Sequence, residues 1–151
     1  GCGITRLKGE EFNARPTVAG EDKIVVTVKT AKGSETSEEK FRVRRIPAPY
    51  VYILNSKGGP LKLGEFRASD AITIKNPDFV FQVPYTVVSF EMVYAPKKGN
   101  IVSDPSSSSK YSSIMKDIQK KATSGDKIII EALVKMPDGR TVPVNTSFKL
   151  I

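Results

Sequence analysis

Histidine is absent from the chain, and cysteine occurs once, at Cys2. These two facts remove much side-chain chemistry. No Ser-His-Asp triad, Cys-His dyad or histidine-based metal site can be built within the sequence. One thiol closes no internal disulfide and forms no zinc site alone. Cys2 reads either as an ordinary strand or terminal residue or as a lipidation site behind a removed signal. The carboxylates offer the adjacent pairs Glu10-Glu11, Glu21-Asp22 and Glu38-Glu39, all in polar stretches. General acid–base work needs two carboxylates set across a substrate, usually from distant parts of the chain. Neighbours in one loop do not supply that. Gly58-Gly59 and Gly99 are turn glycines and make no phosphate cradle. Asp138 sits in a Pro-Asp-Gly turn, where its common task is local hydrogen bonding. The residues therefore predict no catalytic, cofactor or metal site and no small-molecule substrate.

What remains is surface chemistry. Arg42, Arg44 and Arg45 form the candidate interaction surface, with Tyr50 and Tyr52 close by in sequence. Arginines beside aromatics suit a single-stranded nucleic acid. Equally, they form a solvated strand face leading into a linker, and this reading predicts no nucleic-acid partner. The chain carries 24 Lys and Arg against 16 Asp and Glu, a formal charge of +8 over 151 residues. The first 50 residues hold ten basic and seven acidic side chains, and the rest hold fourteen and nine. The excess is spread, without a basic tail. Such a charge either suppresses self-association or meets an acidic partner. No apolar run approaches the ~20 residues of a membrane span. The N-terminus lacks the apolar stretch of a signal peptide.

The elements that position these residues are strands. The C-terminal stretch Gly125 to Ile151 organises the chain. Ile128, Ile130, Ala132, Val134 and Met136 alternate on one side of Pro137-Asp138-Gly139, and Val142, Val144, Thr146, Phe148 and Leu150 alternate on the other. Successive strand residues point to opposite faces, and Pro-Asp-Gly is turn chemistry, so this is an antiparallel hairpin. Phe90 and Phe148 are predicted core residues. Ile129 and Leu133 lie on the opposite face, which predicts that something covers that side too. The candidate cover is a helix near residues 110–122, with Tyr111, Ile114, Met115, Ile118 and Ala122 at helical spacing. Its N-cap is expected from the serine-rich stretch Ser103 to Ser109, read as mobile, and Gly125 is its expected stop.

Upstream, Lys23 to Lys29 and Phe41 to Ile46 read as a second hairpin around a long polar loop, Ala31 to Lys40. Phe79 to Tyr94 reads as one long apolar stretch whose alternation changes phase at Val87-Val88, the mark of a bulge or bend. Shorter strands are read at Tyr50 to Leu54 and Ala71 to Lys75, with a helical turn or irregular segment around Leu61, Leu63 and Phe66. Pro47-Ala48-Pro49 is the one rigid break, because proline has no N–H and fixes its φ. It divides a β segment, residues 1–46, from a β domain with one helix, residues 47–151. Residues 1–46 read either as the remainder of a larger β domain or as strands added to the downstream sheet. Pro47 and Pro49 are the candidate hinge, since two fixed φ angles stiffen a connection that glycine would loosen.

The order of these pieces resembles the C-terminal periplasmic region of the GldM/PorM family, the gliding-motility and type IX secretion proteins of Bacteroidetes. The matching residues are Phe41-Arg42-Val43 with Ile46-Pro47 and Pro49, Val88-Ser89-Phe90, Gly125-Asp126, and Pro137-Asp138-Gly139. The resemblance spans roughly Lys40 to Ile151 and is weaker before it. It implies a mainly β chain: an Ig-like antiparallel β-sandwich with one short helix, preceded by closing strands of another Ig-like domain. It also implies a non-enzymatic homodimeric shaft. Such a shaft would sit in the periplasm, anchored to the inner membrane by a segment absent from this chain. Through that segment it would meet an inner-membrane motor protein. At its far end it would meet an outer-membrane-associated ring lipoprotein and that lipoprotein's partner. The alternative is a surface or periplasmic β-sandwich lipoprotein that binds carbohydrate or peptide.

Overall fold

The computed structural model describes residues 2–9 and 11–151. The Cys2 side chain, Gly1, and the Glu10 member of the Glu10-Glu11 pair lie outside the described residues. The chain is mostly β, with several antiparallel sheets and two short helices, as expected of a β-sandwich with a short helix. It divides into two units, residues 1–45 and 46–151.

The first unit is two hairpins. Strand β1 (Cys2–Arg6) pairs with β2 (Phe12–Pro16), and β3 (Gly20–Thr30) pairs with β4 (Gly33–Val43). The long polar loop expected at Ala31 to Lys40 is a correction. Only Ala31 and Lys32 form the turn, and Thr30 already pairs with Gly33. Gly33 takes a φ of 140°, which closes a two-residue connection that side chains resist. Polar residues then continue the ladder because β-branched Ile24, Val25, Val26 and Val28 stand across from them.

The second unit carries the core. Its main sheet runs β6 (Gly59–Leu61), β11 (Thr141–Leu150), β10 (Lys127–Lys135), β8 (Thr86–Ala95), β9 (Val102–Ser106). The β10–β11 hairpin forms as read, and β6 joins β11 in parallel through Phe148, Lys149 and Leu150. Strands β5 (Tyr50–Tyr52) and β7 (Thr73–Lys75) make a small second sheet. Helix α1 (Leu63–Ala68) and helix α2 (Ser113–Lys121) complete the set. The inward faces of β8, β10 and β11 form one core with Val51, Phe66 of α1, and Met115 and Ile118 of α2. Phe90 and Phe148 are both buried in it.

Three expectations change here. Helix α2 packs on the Ile128 and Ile130 side of β10, not over Ile129 and Leu133. The second face stays open, and Leu133 is 44% exposed. One helix has one apolar stripe, and it goes to the side that buries more area. Next, the stretch Phe79 to Tyr94 is only half strand, since β8 begins at Thr86. Pro77 and Pro84 remove ladder donors, and Phe79 to Tyr85 is irregular. The phase change itself is a bulge. Leu133 pairs with Ser89 and Val134 with Val87, which leaves Val88 between them. Finally, Ser103 to Ser106 belongs to edge strand β9, where Pro105 is tolerated because an edge needs no second partner. The N-cap of α2 is Ser112, whose Oγ accepts the Met115 N–H at 3.1 Å.

Candidate interaction surfaces

No group of three or more His, Cys, Asp or Glu among the described residues is placed to hold a metal. Of the adjacent carboxylates, Glu21 and Asp22 lie on β3, so they point to opposite faces. Glu38 pairs with Lys23 at 2.9 Å on an exposed face, and Glu39 faces the other side. A like-charge pair that sequence reading missed does occur, Glu91 opposite Glu131 on β8 and β10. It lines a shallow depression of about 370 Å³ on the open face of the main sheet, beside Pro105, Leu133 and Pro143. Cross-strand neighbours are distant in sequence, so no local spacing announces them.

The three candidate arginines are all exposed. Arg42 lies in β4 directly opposite Glu21. Arg44 and Arg45 follow the strand, which ends at Val43, so Arg42 and Arg44 do not share a strand face. Tyr50 and Tyr52 belong to β5 in the other unit. On the side of the β3–β4 hairpin away from Arg42, Ile24, Val26 and Val28 form an apolar stripe that continues to Phe41 and Val43. Ile24 is 37% exposed, Val26 52% and Val28 53%.

The proline segment is tied down within the second unit. Pro49 is buried, whereas Pro47 is exposed. Asn76 donates through Nδ2 to the Pro47 carbonyl at 3.1 Å. Arg140 donates through Nη2 to the Ile46 carbonyl at 3.2 Å. Arg140 is itself held by Asp138, which accepts from its Nε at 2.7 Å and from its backbone N–H at 3.1 Å. That pair holds the Asp138 carboxyl below its ordinary range. The Pro-Asp-Gly turn thus aims Arg140 at the chain's entry into the domain. Asp138 was read as local, which it is, but the turn's longer-range contact runs through Arg140. The spacing Asp-x-Arg was its only signal.

Asp126 is the other polar anchor. It is buried, and its carboxylate accepts from Lys97 N–H at 2.9 Å, Thr123 N–H at 2.8 Å, Tyr94 Oη at 2.8 Å and Thr123 Oγ1 at 3.1 Å. Burial alone would push this carboxyl up; the two backbone donors and the two hydroxyls outweigh it and hold it low. On the other side of the bond, burial first and then Asp126 push the Tyr94 phenol up to about 12. Gly125 precedes it at a φ of 91° and donates to the Leu150 carbonyl at 2.6 Å. Gly125 therefore makes the turn that lets Asp126 close the loops between β8, α2 and β11.

Residues 47–151 match the family model described as the GldM C-terminal domain. The chain belongs to that family. Among curated proteins, none matches it. Membership makes this a gliding-motility-related protein, with a domain of structural type. In this GldM domain the residue pairs that carried the resemblance, Gly125-Asp126 and the Pro-Asp-Gly turn, hold loops and the entry segment in place. A further anchor was invisible in sequence. Gln119 of α2 is buried and donates through Nε2 to the Phe66 carbonyl at 2.5 Å and the Ser69 carbonyl at 2.8 Å. Arg67 returns two bonds to the end of α2, at the Gln119 and Ala122 carbonyls. Gln119 lies outside the apolar stripe that helical spacing marks, and only the packing of α1 beside α2 reveals its role.

Proposed function

We propose that this chain is a non-enzymatic structural and interaction domain of a periplasmic gliding-motility and type IX secretion shaft. It acts as a homodimer, binds the outer-membrane-associated ring lipoprotein and that lipoprotein's partner, and passes on force from an inner-membrane motor through chain that precedes it. The Arg42, Arg44 and Arg45 surface and the Pro47–Pro49 segment are its proposed contact and joint. The observation that carries the reading beyond family membership is the apolar stripe of the β3–β4 hairpin. An isolated two-stranded hairpin is marginal in water, and an uncovered stripe of Ile24, Val26 and Val28 favours a neighbouring β surface. In a dimer that neighbour is the second copy.

Two measurements test this. Sedimentation of the purified chain is expected to give twice the monomer mass, and Val26→Lys is expected to return it to the monomer. A monomer at all concentrations removes the homodimer. A titration with the purified ring lipoprotein and its partner is expected to saturate and to weaken when Arg42, Arg44 and Arg45 are changed to glutamate. No binding removes the ring contact.

A further inference from the structure

The segment from Asn76 to Tyr85 leaves β7 and returns to β8 without regular structure. At its tip Val80 is 93% exposed and Phe81 70%. Phe79 stacks edge-on against Phe81 with ring centroids 5.6 Å apart. An aliphatic and an aromatic side chain held out in water at a loop tip are poorly placed for folding but well placed for contact. Beside the tip lies a depression of about 330 Å³ whose walls include Tyr52, Phe79, Phe81 and Tyr85. The chain has twelve aromatic residues, seven Phe and five Tyr. A third of them therefore gather at one surface groove, where Tyr85 also packs against the core and Phe81 stands exposed.

The rim is basic. Lys75 Nζ lies 5.2 Å from the Tyr52 ring centroid, and Lys57 Nζ lies 5.0 Å from that of Tyr50. Neither lysine makes an ion pair among the described residues. The nearby acid, Asp78, is engaged with the Tyr50 hydroxyl at 2.9 Å. An occupant that complements this surface carries apolar side chains for the aromatic walls and carboxylates for the two ammonium groups.

We propose that the groove between the Val80–Phe81 tip and the Tyr50–Tyr52 strand is a docking site for an acidic, apolar segment of a partner protein. Protein is favoured over single-stranded nucleic acid by two features. Bases need whole ring faces to stack on, and a lysine takes one face of Tyr50 and one of Tyr52, whereas apolar side chains also pack on ring edges. Val80 at the tip offers neither a ring nor a hydrogen bond. A second copy paired through this same groove is a poorer complement, because it would set Lys57 and Lys75 against their own counterparts. The chemistry rests on the groove alone, and its place in biology rests on the interaction role proposed above.

The test uses the full chain and a library of labelled eight-residue peptides that combine Leu or Phe with Asp or Glu. The same library with Lys in place of the acids serves as the control. Saturable binding of acidic members is expected, at least tenfold tighter than their lysine counterparts. Phe81→Ser is expected to abolish it, and Lys57→Glu with Lys75→Glu to weaken it more than tenfold. All three positions are exposed, and unchanged denaturation midpoints confirm that the variants fold. No binding by the acidic library, or equal binding of both libraries, overturns the proposal. An oligothymidylate that binds through Phe81 while the peptides do not overturns it in favour of nucleic acid. Self-association that Phe81→Ser alone removes overturns it in favour of a second copy. The peptide titration needs no ring component, so its failure and that of ring binding are read separately.

Discussion

The two long hairpins of this protein share one local pattern and have opposite fates. In β10–β11, Ile128, Ile130 and Val134 are fully buried, and Phe148 is 1% exposed. In β3–β4, the equivalent stripe of Ile24, Val26 and Val28 stays a third to a half exposed. Alternation makes a strand with one apolar face in both cases. It does not make a core. A core needs a second layer, and β10–β11 has one in α1, α2 and the small β5–β7 sheet, whereas the described residues of the first unit add none to the β3–β4 stripe. Apolar periodicity therefore reports that a face seeks cover. It says nothing about whether the same unit provides it.

The sharpest way to break this contrast is truncation. Phe148→Ala removes a fully packed ring and is expected to cost ~3–5 kcal/mol, a large share of the ~5–15 kcal/mol of a domain. Val26→Ala in dilute monomeric chain is expected to cost less than ~0.5 kcal/mol. Urea midpoints of the two variants measure this. Equal losses would mean that the β3–β4 stripe is packed after all.

A smaller effect separates polar anchoring from apolar burial. Asp126→Asn leaves donors around the former carboxylate mismatched and is expected to cost about 2–3 kcal/mol. The wild-type carboxyl is held below its ordinary value of 3.8, so its contribution is complete above that pH. As pH falls through 3.8 the unfolded chain takes up the proton first, and the contribution is lost by the time the depressed folded value is passed. Asp117 and Asp138 are also held low, by Lys120 and Arg140. The informative quantity is therefore the difference between wild type and Asp126→Asn. That difference is expected to be flat above about pH 5 and to shrink in acid. A difference independent of pH would assign the anchor to shape alone.

The smallest effects lie at the entry to the domain. Pro49→Gly, at a buried position, is expected to lower stability by about 1 kcal/mol, and Pro47→Gly, at an exposed one, by less than ~0.5 kcal/mol. With both replaced, each unit is expected to stay folded while small-angle scattering shows a broader size distribution. Unchanged dimensions would remove the joint.

The sequence by itself determined the β10–β11 hairpin, the existence though not the loop of the β3–β4 hairpin, the bulge at Val88, the buried faces of β8 and β10, and the position of α2 along the chain. Each rests on a periodicity or a turn residue within a dozen positions, where the physics is local. It also excluded histidine chemistry by composition alone. Only the tertiary structure decided the rest. Glu91 faces Glu131 because β8 lies beside β10, and that register depends on the whole sheet. The β6 strand exists because Gly58, at a φ of 134°, lets its backbone run against β11, where a Cβ would come within 2.8 Å of Thr146 Oγ1. Gln119 became an anchor because α1 packs beside α2, and Phe81 stayed in water because Pro77 and Pro84 released its segment from the ladder. Which face α2 covers was undecidable from spacing, since both faces of β10 carry isoleucine. Total buried area chose, and that sum runs over residues far apart in the chain.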